Sequence, residues 1–138
     1  MKLYERLYRL RIKDTNTCSD CGDIENQLHV FYFCRRKRPV LNWFQCTVNR
    51  ICKLRDCINL KTLFYDINCT SKAKRNTVII FVTCFLYCIW IGHSTGQDNE
   101  TIIKHLKNKL CYQRWLLKIR FKDDAKRYVM KEYLDARF

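Results

Sequence analysis

Residues 78–91 read VIIFVTCFLYCIWI, and the placement of this run decides the fold. A helix that crosses the hydrocarbon of a bilayer needs about 20 mostly apolar residues, and this run falls short of that. Thr83, Cys84, Tyr87 and Cys88 dilute it further, and Gly92 ends it. It suits instead the central helix of a soluble domain, apolar on every side because other helices wrap it. Lys72, Lys74 and Arg75 stand just before the run, as they would beside a membrane helix. A membrane-associated or protein-interaction module that uses residues 78–91 is therefore the alternative reading.

Amphipathic stretches surround this segment. Leu3, Leu7 and Leu10, with Tyr4 and Tyr8, repeat at helical spacing. Val40, Leu41, Trp43, Phe44, Val48, Ile51 and Leu54 predict a helix over residues 40–54, and residues 57–67 read as a shorter one. Residues 71–75, Ser-Lys-Ala-Lys-Arg, read as a basic linker. After a loop through Gly96, Asp98 or Asn99 can cap a helix with the stripe Ile102, Ile103, Leu106 and Leu110, extended by Leu117. Ala125, Tyr128, Val129, Glu132 and Tyr133 place a last helix near 122–136, whereas residues 14–38 are polar and irregular. The expected fold is mainly α: a small helical domain whose irregular N-terminal stretch, with Cys18, Cys21, His29 and Cys34, would be a CCHC zinc-binding loop. Residues 1–45 would form that module, and residues 46–138 a basic helical region packed with it as one domain.

The irregular region holds Cys18-x2-Cys21-x7-His29-x4-Cys34. Zn²⁺ takes four tetrahedral thiolate or imidazole ligands, and a Cys-x2-Cys pair supplies two of them from one tight turn. Gly22 suits that turn because glycine accepts positive φ and lets backbone amides approach the sulfurs. On an ideal α-helix a five-residue offset lies about 140° round, so the chain must loosen between His29 and Cys34 for both to reach one ion. Ordinary buried thiols are the plainer alternative. The start of the chain shows no apolar core segment and no small-residue cleavage site, so the expectation is an intracellular protein, nuclear or cytoplasmic and not secreted. Ten cysteines would stay reduced there, which favours metal over disulfides.

The chain of 138 residues carries 27 Lys and Arg against 13 Asp and Glu, a net charge of +14. That excess calls for a polyanionic partner, either nucleic acid or an anionic membrane face. Apolar residues at 48% exclude an intrinsically disordered chain. Three thiolates, a neutral imidazole and Zn²⁺ sum to −1, which Arg35, Arg36, Lys37 and Arg38 can offset as they follow the last ligand; the same run is a candidate phosphate contact or nuclear-import signal, with a solvated face as the alternative. The segment 101–138 is the most basic part, with Lys104, Lys107, Arg114, Lys118 and Arg120 on or beside one helix face. Tyr112 and Trp115 interleave with them and are expected to pack inward, base stacking being the alternative.

The stretch TCSDCGDIENQLHVFYFC, followed by Trp43-Phe44, resembles the zinc-binding region at the C-terminal end of non-LTR (LINE-type) retrotransposon reverse transcriptases. The matching positions are Cys18, Cys21, Gly22, Glu25, His29, Phe31, Cys34 and Trp43. Tyr87-x2-Trp90 and the basic C-terminal part are similar to the tail of insect-type elements, although Ile91-Gly92-His93 departs from that pattern. The resemblance covers residues 1–45 well and 60–138 loosely. It implies a zinc module that helps a reverse transcriptase hold template RNA or target DNA, alongside other parts of a polyprotein. The polymerase palm and endonuclease of such a protein would lie upstream, so no catalysis is expected from this chain by itself. Phe121-Lys122-Asp123-Asp124 imitates a polymerase aromatic-x-Asp-Asp. Two-metal chemistry needs a third carboxylate from a distant strand, and the surroundings read as helix.

Overall fold

The computed structural model describes residues 17–18, 21–23, 29–53 and 71–138, and among these the regular structure is helical. The helices expected near the N-terminus and over 57–67 lie outside the described residues. Helix α1 spans Arg38–Cys52, α2 Lys72–Ser94, α3 Asn99–Phe121, α4 Ala125–Tyr128 and α5 Lys131–Leu134. A π-helical turn, His29–Phe33, and a 3-10 turn, Arg35–Lys37, lead into α1. Residue 45, the boundary expected between the two regions, falls within α1.

Helix α2 is longer than its apolar run. Ser71 Oγ accepts the Lys74 N–H at 3.4 Å, and Lys72, Ala73, Lys74 and Arg75 are good helix formers. The residues expected to be a linker therefore form its first turn. At the other end the helix continues through Gly92 to Ser94. Gly92 lies against α3 so closely that a Cβ there would run into Ile102 Cγ1 and Cδ1. With 23 residues, α2 is long and apolar enough to cross a membrane by length and composition, while 56% of its most apolar window is buried inside the protein.

That burial comes from α1 and α3. Pro39 sits in the first turn of α1, where no N–H is needed, and Lys53 closes the helix in the left-handed region. Val40, Leu41, Phe44, Val48 and Ile51 point inward, and the Phe44 ring stacks on Phe85 of α2 with centroids 4.3 Å apart. Ile102, Leu106 and Leu110 of α3 complete the three-helix core. Each such side chain contributes about 1.5–3 kcal/mol by leaving water.

The single helix expected near 122–136 is set off from α3 by a turn and broken once within its length. Lys122 turns at φ +50° after α3, and Val129 is extended between α4 and α5. The extended residue aims the Met130 N–H at Thr77 Oγ1, 2.9 Å away on α2. It also carries Tyr133 into the core, where its hydroxyl donates to Leu110 O at 2.7 Å and its ring meets Phe81 edge-on. Ala125, Val129 and Tyr133 are buried as their spacing suggests, while Tyr128 and Glu132 are exposed.

Candidate metal centre

Cys18, Cys21, His29 and Cys34 converge, with their ligand atoms all within 4.8 Å of one another. Cys18 Sγ lies 3.9 Å from Cys34 Sγ, Cys34 Sγ lies 4.0 Å from Cys21 Sγ, and Cys21 Sγ lies 3.3 Å from His29 Nε2. A tetrahedral ion with metal–sulfur bonds of about 2.3 Å needs sulfur–sulfur edges of about 3.8 Å. The cluster can therefore hold a metal ion with little rearrangement. Cys18, His29 and Cys34 are buried and Cys21 is half-buried.

Local backbone geometry accounts for the convergence. The Gly22 N–H donates to Cys18 O at 2.9 Å and the Cys18 N–H donates to Asp23 O at 2.6 Å, closing the tight turn. Gly22 sits at φ +82°, the left-handed conformation for which glycine suits this position. On the other side the Cys34 N–H donates to His29 O at 2.7 Å. That bond spans five residues, so the widened π turn brings Cys34 nearly a full revolution round to His29, supplying the loosening the spacing demands. The turn is anchored by buried Val30 and by Phe31, whose ring meets Trp90 of α2 at 5.9 Å.

Burial pushes the Cys34 thiol above its ordinary value, while backbone hydrogen bonds from Lys37 and Arg36 pull it down and the neighbouring Cys21 raises it again. A divalent cation among these sulfurs would override this balance and hold them as thiolates. Three thiolates, a neutral imidazole and a divalent ion sum to −1, and Asp23 Oδ2 adds a carboxylate 3.7 Å from Cys21 Sγ. Arg35 answers both charges: its Nη2 donates to Cys21 O at 3.1 Å and its Nε lies 3.6 Å from Asp23 Oδ2.

The candidate nucleic-acid residues divide into two groups. Arg36, Arg38, Lys104, Lys118 and Arg120 are exposed, and Arg35 is exposed while bound to the metal loop. Lys37 is withdrawn, 7% exposed, with Nζ donating to Gln97 O at 2.9 Å. Lys107 lies half-buried over the Trp43 ring, and Arg114 ties α3 to Tyr133 O and Ala136 O. Tyr112 and Trp115, expected to pack inward, instead face outward at 54% and 55% exposure. The core-facing stripe of α3 is on its opposite side, so these rings have no place in it.

Other chemistry-bearing residues stand apart from the centre. Cys84 and Cys88 are interior thiols of α2, and burial, then the nearby Cys88, pushes Cys84 up to about 11. His93 is buried at the end of α2, whereas His105 is exposed. Asp123 and Asp124 lie exposed in a 3-10 turn, with Asp124 paired to Arg127 at 3.6 Å. The contributions that sequence reasoning misses are the Asp23–Arg35 pair and a clamp formed by Lys37 and Asn99. Asn99 Nδ2 donates to Arg36 O at 2.7 Å, binding the metal loop to the α2–α3 turn. That Arg35 would offset the thiolate charge was expected from the sequence, although its partner Asp23 was not, and the clamp joins residues some 60 positions apart and left no signal. Comparison with protein-family models, curated proteins and solved structures gives no match to this chain.

Proposed function

We propose that this chain is a zinc-stabilised nucleic-acid-binding module without chemistry of its own, related to the zinc region of non-LTR retrotransposon reverse transcriptases. The observation that carries the reading is the cluster of Cys18, Cys21, His29 and Cys34 with Arg36 and Arg38 exposed directly behind it. A three-sulfur, one-nitrogen donor set at tetrahedral spacing suits Zn²⁺ and disfavours the hard, oxygen-seeking Mg²⁺ and Ca²⁺. Zinc would fix the loop from which these arginines project, and the basic face of α3 would supply further phosphate contacts. The net charge of +14 provides the attraction to a polyanion.

The test is binding of the zinc-loaded chain to a mixed-sequence RNA and a duplex DNA across a salt series. Each phosphate contact adds about 0.7–0.9 to the slope of log affinity against log salt. Arg36→Ala together with Arg38→Ala should flatten that slope by about 1.5 units. An unchanged slope would remove the loop from the interface, and no binding at low salt would overturn the reading itself.

A further inference from the structure

Resting on the nucleic-acid reading, we propose that α3 binds single-stranded nucleic acid by stacking bases on an exposed aromatic platform made by Tyr112 and Trp115. The two rings are stacked on each other, centroids 5.9 Å apart and planes 28° from parallel, and more than half of each residue is open to solvent. Leu116 and Ile119 extend the same outward face. At 100° per residue, Tyr112, Trp115 and Ile119 fall within about 60° of one another on the side away from buried Ile102, Leu106 and Leu110, with Leu116 at the edge of that arc. A soluble helix normally fills that arc with charge.

Basic side chains border the arc on both sides. Lys104 and Lys118 stand exposed along one edge, with Lys107 and Arg114 between them held on the Trp43 ring and on Tyr133 O and Ala136 O. Lys109 and Arg120 lie on the other edge, with Lys109 Nζ 4.2 Å from the centroid of the Tyr87 ring. Glu100 is the one acidic residue in α3. Apolar faces framed by cations suit a ligand with flat apolar surfaces and a regular negative backbone. Single-stranded RNA or DNA has both, because its bases are unstacked and free to meet side chains. A duplex hides its base faces and offers only phosphates and groove edges.

Two other occupants fit less well. A second copy would bring two rows of lysine and arginine face to face. An anionic membrane wants an apolar stripe along the whole helix, but this one is confined to residues 112–119, about 12 Å. The preceding outward positions are Thr101, Lys104, His105 and Asn108.

The experiment compares the zinc-loaded wild type with Trp115→Ala and Tyr112→Ala. Fluorescence anisotropy would read binding to an oligo(dT) of about 12 nucleotides and to a mixed-sequence duplex of the same length. Each substitution should weaken oligo(dT) binding roughly 5- to 150-fold and leave duplex binding within about twofold, with unchanged salt slopes. Trp115→Tyr should restore most of the loss. Lys118→Ala should weaken both ligands and lower both slopes by about 0.7–0.9. Both rings are exposed, so thermal unfolding by circular dichroism should match the wild type. If the wild type binds both nucleic acids but the alanine variants lose neither, or lose both equally, the platform is overturned while the nucleic-acid reading stands. If the wild type binds neither and instead binds vesicles of anionic phospholipid through Trp115, both are overturned.

Discussion

Arg35 shows how a charged side chain can support the cluster of Cys18, Cys21, His29 and Cys34 without being one of its four members. Its guanidinium grips Cys21 O and Asp23 Oδ2 together, so it holds the Cys18–Asp23 turn closed and offsets the negative charge there. Removing such outer support typically costs 10–100-fold in metal affinity. Arg35→Ala should therefore lower zinc affinity about tenfold or more in a chelator competition, and Arg35→Lys should recover only part, because an ammonium cannot make both contacts. Equal affinity in Arg35→Ala would show the grip to be incidental. Cys84 gives a second residue-scale expectation. Its folded pKa is about 11, against 9.0 for an ordinary thiol. Between those values the unfolded chain has released the proton and the folded chain has kept it, so stability falls as pH rises through that window. The fall should be about 1 kcal/mol per pH unit, and Cys84→Ala should flatten it in urea titrations near pH 8.5 and 10.5. A slope unchanged in Cys84→Ala would show that the thiol does not titrate differently on folding.

Among the elements, the α2–α3 contact depends on one missing side chain. Gly92 has no Cβ, and Ile102 fills the space where one would stand. Gly92→Ala should destabilise the chain by about 1–3 kcal/mol, and adding Ile102→Val should recover part of it, as read by chemical unfolding. No loss in Gly92→Ala would mean that the two helices separate without cost. The sequence made Gly92 look like a helix terminator because glycine is a poor helix former; the requirement for close packing is invisible without the partner. The same limit explains residues 71–75, where lysines and arginine resemble a linker although each is a good helix former. Helices α1 and α3 were legible because their buried positions recur every three or four residues on one face. The Cys/His cluster was legible because its spacing is local, and even the need for a loosened turn before Cys34 could be worked out from helix geometry. The break at Val129 was not, because it serves a hydrogen bond to Thr77, far off in the chain. Lys37, Arg114 and the outward-facing Tyr112 and Trp115 escaped for the same reason: their partners, or their lack of a place in the core, are set by tertiary packing.

At the scale of the molecule, the metal loop is fastened to the helical core through Lys37 to Gln97, Asn99 to Arg36, and Phe31 on Trp90. The core has its own closure in Phe44, Phe85, Leu106 and Tyr133. Chelation should therefore release Cys18, Cys21 and the turns from His29 to Lys37 and expose Val30 and Phe31, while α1, α2 and α3 keep most of their far-ultraviolet helix signal. Complete loss of that signal would mean that metal nucleates the whole fold, as it does in small zinc fingers. All of this depends on the four side chains gathered at the N-terminal loop. The most direct measurement is the metal content of the purified chain by elemental analysis, for the wild type and for Cys18→Ser combined with Cys21→Ser. The account predicts close to one equivalent of zinc per wild-type chain and next to none in the double variant. A zinc-free wild type that takes up none on reconstitution, or a double variant that retains its full equivalent, would contradict it.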